Sequence, residues 1–124
     1  MEQGRHLILV VDDDADIRDA MRVILEHLGY RVRVASSAEE GLAAFRAERP
    51  DFIFVDLLME EVDSGIRLAK EYQRLGNRAP VYVLSSVGDS LSASIDVGEL
   101  GLEGVLQKPI DSRTLLTLLR EKLR

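Results

Sequence analysis

Short apolar runs alternate along the chain with segments in which apolar residues recur at helical spacing. Five apolar runs are predicted as strands, namely HLILVV, RVRVA, DFIFVD, VYVLS and EGVLQ. The segments between them are predicted as helices, and the first of these carries Ile17, Met21, Ile24, Leu25 and Leu28. This alternation is typical of a parallel sheet covered by helices. The sequence therefore predicts an α/β fold of five βα units.

Polar residues and glycines mark the predicted helix ends. N-caps are predicted at Asp14, at Ser36 or Ser37, and at Asp111 or Ser112. Gly29 is a suitable stop for the first helix. In the segment SVGDSLSASIDVGELG, Gly88 and Gly98 weaken helix formation, and serines favour local backbone hydrogen bonds. We therefore expect the fourth helix to be short or mobile.

Five βα units of this size predict an open, doubly wound, flavodoxin-like sheet with strand order 2-1-3-4-5. In such sheets the ligand site lies beyond the carboxyl ends of the strands. The polar residues predicted at those ends are Asp12, Asp13, Asp56, Ser85, Ser86 and Lys108. Because strands one and three are neighbours in this order, we expect the aspartates that follow them to converge.

Composition limits the class of protein. The 124 residues are predicted to form one domain over residues 1–124, with residues 1–6 as a flexible tail and no output domain. A formal net charge of -6 argues against nucleic acid or membrane binding through a basic surface. The chain has no cysteine, and no apolar run approaches the length of a membrane span. We expect a cytoplasmic protein.

Three converging carboxylates need a cation. The chain offers no thiolate and only two histidines, so an all-oxygen site favours Mg²⁺, with Mn²⁺ as an alternative. The remaining groups then acquire roles in phosphoryl transfer. Asp56 is a candidate nucleophile toward phosphorus, Ser85 a donor to a phosphoryl oxygen, and Lys108 a balancing positive charge.

The motifs LILVVDDD, FIFVDLLM, VYVLSS and LQKP, in this order and approximate spacing, resemble the receiver domains of two-component response regulators over nearly the whole chain. By this resemblance Asp56 is the phosphoacceptor. The resemblance also implies that Asp12, Asp13, Asp56 and the backbone carbonyl of Leu58 hold Mg²⁺. Ser85 matches the switch hydroxyl and Lys108 the lysine that pairs with the phosphoryl group.

The resemblance implies further properties. The Lys108–Pro109 peptide bond is expected to be cis. The phosphodonor is expected to be a phosphohistidine on a sensor histidine kinase or phosphotransfer protein, and the receiver is a signalling phosphoacceptor rather than an enzyme. A homodimer or effector surface is expected on the fourth helix, fifth strand and fifth helix. The sequence leaves open a stand-alone receiver or a piece of a longer regulator.

The chain also departs from the usual family pattern. Glu60 stands where proline is usual, and Ser64 where glycine is usual, with Gly65 one step later. Val105 replaces the common tyrosine or phenylalanine, so a rotating aromatic switch is absent. Ser86 replaces a small residue and narrows access to Asp56.

By the same resemblance, Leu58 and Val87 flank the path of the hydrolytic water. Both side chains are apolar and cannot orient water, so we expect slow loss of the phosphoryl group.

Two alternatives remain open. One is a phosphorylation-independent, receiver-like interaction module in which Val105 and the altered acceptor loop break the switch. The other is a phosphotransferase of the haloacid-dehalogenase type, with Asp12-Asp13-Asp14 read as Asp-x-Asp. That family takes a further acidic pair for its metal after its lysine, whereas after Lys108 only Asp111 is a candidate for that pair.

Overall fold

The computed structural model describes residues 5–57, 59, 64–86, 98 and 100–123. Its strands are β1 (Leu7–Val11), β2 (Arg31–Ala35), β3 (Phe52–Asp56), β4 (Val81–Ser85) and β5 (Gly104–Gln107). Its helices are α1 (Ala15–His27), α2 (Ala38–Ala47), α3 (Ser64–Arg74) and α4 (Ser112–Lys122). The strands form one parallel sheet in the order β2-β1-β3-β4-β5, as predicted.

The central strands are buried on both faces, which explains their uninterrupted apolar sequences. Every residue of β1 and β3 is buried. The two strands pair in register, with Val10 beside Phe54 and Val11 beside Val55. This register brings the carboxyl ends of β1 and β3 to the same edge of the sheet.

Helices cover both faces of the sheet. On one face, Met21 and Leu25 of α1 share a core with Leu115 and Leu119 of α4. On the other face, α2 and α3 pack against β1, β3 and β4, with Phe45, Leu68, Ala69 and Tyr72 in the core. The sequence patterns of α1 and α4 differ from those of the strands because only one side of each helix faces this core.

Side-chain caps begin three of these helices at residues predicted from the sequence. Asp14 accepts a hydrogen bond from the backbone N–H of Asp16, Ser37 from that of Glu40, and Asp111 from that of Thr114. Past the end of α1, Gly29 has a φ of 98°, a left-handed conformation that glycine adopts readily. Of the two candidate serines, Ser37 is therefore the N-cap of α2.

Three further expectations concern the fourth helix, the amino-terminal tail and membrane spans. The predicted fourth helix falls within residues 86–101, most of which lie outside the described residues. The helix labelled α4 is therefore the one that the sequence predicts as the fifth helix. His6 belongs to the predicted tail. Its carbonyl accepts a hydrogen bond from the backbone N–H of Arg31, the first residue of β2. In the part of the chain that the structure describes, no helix is long and apolar enough to cross a membrane.

Candidate functional site: an acidic pocket at the carboxyl end of the sheet

The first wall of the site is the turn between β1 and α1. Asp12 is fully buried, and its backbone N–H donates to the Ala35 carbonyl of β2 at 3.0 Å. Its Oδ1 accepts from Asp14 N at 2.9 Å, while its carbonyl accepts from the Arg18 guanidinium at 2.9 Å. These contacts fix the position of the Asp12 carboxylate. Asp13, the next residue, is exposed.

The second wall is the end of β3. Asp56 is the last residue of β3 and is only 5% exposed. One carboxylate oxygen from each of Asp12, Asp13 and Asp56 lies within 4.8 Å of the others. The predicted convergence follows from the pairing of β1 with β3, since both strands end at this edge.

Lys108 completes the site from the turn that follows β5. Its Nζ lies 2.9 Å from Asp12 Oδ2 and donates a hydrogen bond to Asp56 Oδ1 at 3.2 Å. Its backbone N–H donates to the Ser85 carbonyl at 2.7 Å, which ties the turn to the end of β4. The Lys108–Pro109 peptide bond is cis. One ammonium group therefore contacts two buried carboxylates.

The electrostatics of the site are set by burial and by like charges. Burial raises the pKa of Asp56 to about 7, and the charges of Asp12 and Asp13 act in the same direction, while Lys108 opposes them. Burial works to lower the pKa of Lys108, but its contacts with Asp12 and Asp56 outweigh burial and raise it. The pocket thus holds more negative charge than its own lysine balances.

A divalent metal ion fits this set of groups. Three carboxylates face one ammonium, and among the described residues the buried Asp12 Oδ2 contacts only the Lys108 ammonium group, which Asp56 shares. Carboxylate oxygens are the ligands that Mg²⁺ prefers. The excess charge and the oxygen-only donor set suit a hard divalent cation better than a transition metal that selects nitrogen or sulfur.

The remaining predicted site residues lie around this centre or outside the described residues. Ser85 is buried at the end of β4, one residue beyond Leu84, which pairs with Asp56 of β3, and its hydroxyl donates to the Ser86 carbonyl at 3.3 Å. Ser86 itself is exposed. Val105 is half-buried on β5 and packs against the core on the α3 face. Leu58, Glu60 and Val87 lie outside the described residues.

Sequence reasoning did not select Arg18, which the structure places against the main chain of Asp12. Arg18 lies in the first turns of α1, six residues after Asp12. A basic residue one turn past an acidic N-cap is common on a solvated helix, so the pattern alone carried no signal for this contact.

Comparison with solved structures places the fold among receiver domains. A CheY-like response regulator receiver domain protein from Methanospirillum hungatei is 31% identical, with a TM-score of 0.86 over 96% of this chain and 94% of that chain. The chemotaxis protein CheY4 of Vibrio cholerae is 29% identical, with a TM-score of 0.84 over 96% of this chain and 99% of that chain. The class defined by fold and site is thus the CheY-like, flavodoxin-like α/β receiver.

Residues 8–120 match the response regulator receiver domain family, and the chain belongs to that family of two-component signalling proteins. The response regulator MprA of Mycolicibacterium vanbaalenii is 33% identical over 117 residues, covering 94% of this chain and 50% of the relative. The transcriptional regulatory protein AfsQ1 of Streptomyces coelicolor is 33% identical over 118 residues, covering 95% and 51%. The chain spans about half the length of these relatives.

Proposed function

We propose that this receiver accepts a phosphoryl group on Asp56 in a Mg²⁺-dependent reaction and thereby changes the surface that it offers to partners. The observation that carries the proposal is the meeting of Asp12, Asp13 and Asp56 within 4.8 Å, with Lys108 in contact with two of them. The proposed donor is a phosphohistidine on a sensor histidine kinase or phosphotransfer protein. The relatives' names, which describe response regulators, support this choice.

In the proposed reaction an oxygen of the Asp56 carboxylate attacks phosphorus, and the bond from phosphorus to the donor's leaving atom breaks. Asp12, Asp13, Asp56 and the Leu58 carbonyl would hold Mg²⁺, which supplies positive charge to the phosphoryl oxygens. Lys108 provides a second positive charge that neutralises the oxygens carried into the pocket, and Ser85 donates a hydrogen bond to one of them. Burial of Asp56 limits the access of water to the acyl phosphate.

The test is intact mass after incubation with acetyl phosphate and Mg²⁺. We expect a gain of one phosphoryl group by the unaltered protein, and no gain by Asp56→Asn or in the presence of a metal chelator. Asp51→Asn is the matched control, because Asp51 is an aspartate at the opposite end of β3 and should leave phosphorylation unchanged. A folded, Mg²⁺-binding protein that gains no mass would contradict the proposal.

Such a result would favour a phosphorylation-independent interaction module instead. The residue that favours this second function is Val105, which lacks the ring of the aromatic that the family commonly carries there and packs half-buried against the core. Phosphorylation without any change in partner binding would support the same reading. In that case Val105→Tyr would be expected to make partner binding depend on phosphorylation.

We further propose that the phosphoryl group is lost slowly, because Leu58 and Val87 are apolar and cannot orient an attacking water molecule. Leu58→Asn is expected to shorten the half-life of phosphorylated protein by about tenfold. This is less than the roughly 100-fold that a positioned proton-transfer group contributes at the lower end of its usual range. Leu58→Met serves as the control because it preserves an apolar side chain. An unchanged half-life in Leu58→Asn would count against this role.

A further inference from the structure

The start of α3 lies directly on the main chain at the end of β3. A Cβ atom placed on Gly65 would lie 2.1 Å from the Asp56 carbonyl oxygen and 2.7 Å from that of Leu57. Both distances are far below normal van der Waals contact, and both neighbours are backbone atoms that no rotamer change can move away. The φ of Gly65 is outside the left-handed region. Glycine is therefore required here for space and not for an unusual conformation.

The end of β3 has little freedom to yield. Every residue of β3 is buried between β1 and β4, and the fully buried Leu57 donates its backbone N–H to the Leu84 carbonyl at 2.8 Å. A side chain at position 65 would thus be accommodated by displacing α3 or by rotating the peptide group between Asp56 and Leu57. The second of these motions moves the residue that carries the acceptor carboxylate.

The acceptor carboxylate is sensitive to such motion. Its Oδ1 lies 3.2 Å from Lys108 Nζ, and one of its oxygens lies within 4.8 Å of carboxylate oxygens of Asp12 and Asp13. A misplacement of about 1 Å at a reacting group can lower a rate by about 100-fold. If the Asp56 main chain moved far enough to relieve the 2.1 Å contact with a Cβ at position 65, the displacement would be large enough to slow phosphoryl transfer.

We propose that Gly65 is a positioning residue for the phosphoacceptor. The absence of a side chain lets the first turn of α3 rest on the Asp56 main chain, and this contact holds the carboxylate at its place in the pocket. The inference rests on the proposed function, because it concerns the placement of Asp56 for phosphoryl transfer. It also gives a role to a glycine that stands one step later than the position usual in the family, where this chain has the buried Ser64.

Gly104 offers a matched control. A Cβ on Gly104 would lie 3.0 Å from Cε2 of the Tyr82 ring, so a side chain, and not the backbone, has to move. Gly104 begins β5, at the end of the sheet opposite to the acidic pocket. Gly104→Ala therefore introduces the same methyl group into a tight site where the nearest atoms belong to the Tyr82 side chain and not to the main chain of Asp56.

The experiment compares Gly65→Ala and Gly104→Ala with the unaltered protein. The measurements are the rate of phosphorylation by acetyl phosphate at saturating Mg²⁺, the affinity for Mg²⁺ by calorimetry, and chemical unfolding. We expect Gly65→Ala to lower the phosphorylation rate of the folded protein about 30- to 100-fold and to weaken Mg²⁺ binding. Gly104→Ala is expected to keep the phosphorylation rate and the Mg²⁺ affinity within about threefold of the unaltered protein, even if it loses as much stability as Gly65→Ala.

The outcomes separate this inference from the proposed function. A folded Gly65→Ala that is phosphorylated like the unaltered protein would overturn the inference alone, as would equal losses in the two variants. If Gly65→Ala unfolds, the measurements are repeated in trimethylamine N-oxide, which favours the folded state. A chain that stays unfolded there would overturn the inference, because the space would then serve folding and not placement. An unaltered protein that accepts no phosphoryl group would overturn the proposed function, and the inference with it.

Discussion

At the carboxyl end of the sheet, Asp12 and Asp56 are buried side by side and share the ammonium group of Lys108. At the amino end, the side chains of Glu48 and Asp51 are 40% and 47% exposed. There, Glu48 accepts from Arg31 at 2.8 Å, and Asp51 accepts from the backbone N–H of Leu7 at 2.8 Å. Carboxylates and basic groups thus form solvent-exposed pairs at the amino end of the sheet, whereas at the carboxyl end two carboxylates are buried next to each other.

The pKa values of the two ends shift in opposite directions. The hydrogen bond from Arg31 lowers the pKa of Glu48, whereas burial raises that of Asp56 to about 7. A carboxylate with a lowered pKa stabilises the fold when it is charged, and one with a raised pKa destabilises it when charged. The difference teaches that the acidic pocket is maintained at a cost to stability, which is common where charge is needed for chemistry.

The largest expected effect comes from removing the shared cation. Lys108→Met is expected to lower the phosphorylation rate by roughly 100- to 1000-fold, because the phosphoryl oxygens lose a fixed positive charge. The same change is expected to tighten Mg²⁺ binding, since no ammonium group then competes for Asp12 and Asp56. Phosphorylation kinetics with acetyl phosphate and calorimetric titration with Mg²⁺ measure the two effects.

Lys122→Met is the control for this prediction, because Lys122 pairs with the exposed Glu103 at the amino end of the sheet. It should alter neither quantity appreciably. Weaker Mg²⁺ binding by Lys108→Met would contradict the assignment of Lys108 as a competing cation.

A smaller effect is expected on stability when a charge is removed from the pocket. In metal-free buffer at pH 8, Asp56→Asn is expected to raise the free energy of unfolding by about 1–2 kcal/mol, below the roughly 4 kcal/mol that a pKa shift of about three units represents. The ordinary carboxyl pKa is about 3.9 in an unfolded chain. Because the folded protein holds the proton up to about pH 7, the gain should grow between about pH 4 and pH 7 and then level off.

Urea unfolding at several pH values, with a chelator present, measures this gain. Asp51→Asn provides the comparison at the other end of β3, where the carboxylate is exposed and hydrogen-bonded. That variant should show no gain at any pH. A loss of stability in Asp56→Asn above pH 7 would mean that the acidic pocket is not under strain from its charges.

The smallest effect is expected for the exposed cluster in which Glu48 lies 2.8 Å from Arg31 and 3.8 Å from Arg33. Glu48→Gln is expected to lower the urea midpoint slightly at low salt, because exposed ion pairs contribute little and are screened. At 1 M salt, where the screening length is about 3 Å, the difference should vanish. A large loss that persists in salt would show that this pair is as important to the fold as the buried core.

Much of the fold and of the acidic pocket followed from the sequence for a physical reason. Buried parallel strands are unbroken apolar runs, so the aspartates that follow Val11 and Val55 stand out, and the strand order brings them together. The caps Asp14 and Asp111 were predictable because a helix start leaves N–H groups that only certain side chains satisfy.

The sequence could not supply contacts that depend on how two elements meet in space. The overlap between Gly65 and the Asp56 carbonyl is set by the angle at which α3 approaches β3. The double contact of Lys108 depends on the path of the turn after β5, and the Arg18 contact on a side-chain rotamer. Spacing along the chain indicated that Gly65 was displaced from the usual position, but not what the displacement achieved.

The burial of β5 gives Lys108 a mechanical significance. β1 and β3 are buried throughout, whereas residues 104–106 are half-buried and Gln107 is exposed. A displacement of β5 therefore breaks fewer apolar contacts than one of any central strand, and the local opening free energy of its amide groups is expected to be among the lowest in the sheet. Lys108 directly follows this strand, so a change in the electrostatic force on its ammonium group acts first on an edge strand that is easier to displace than β1 or β3.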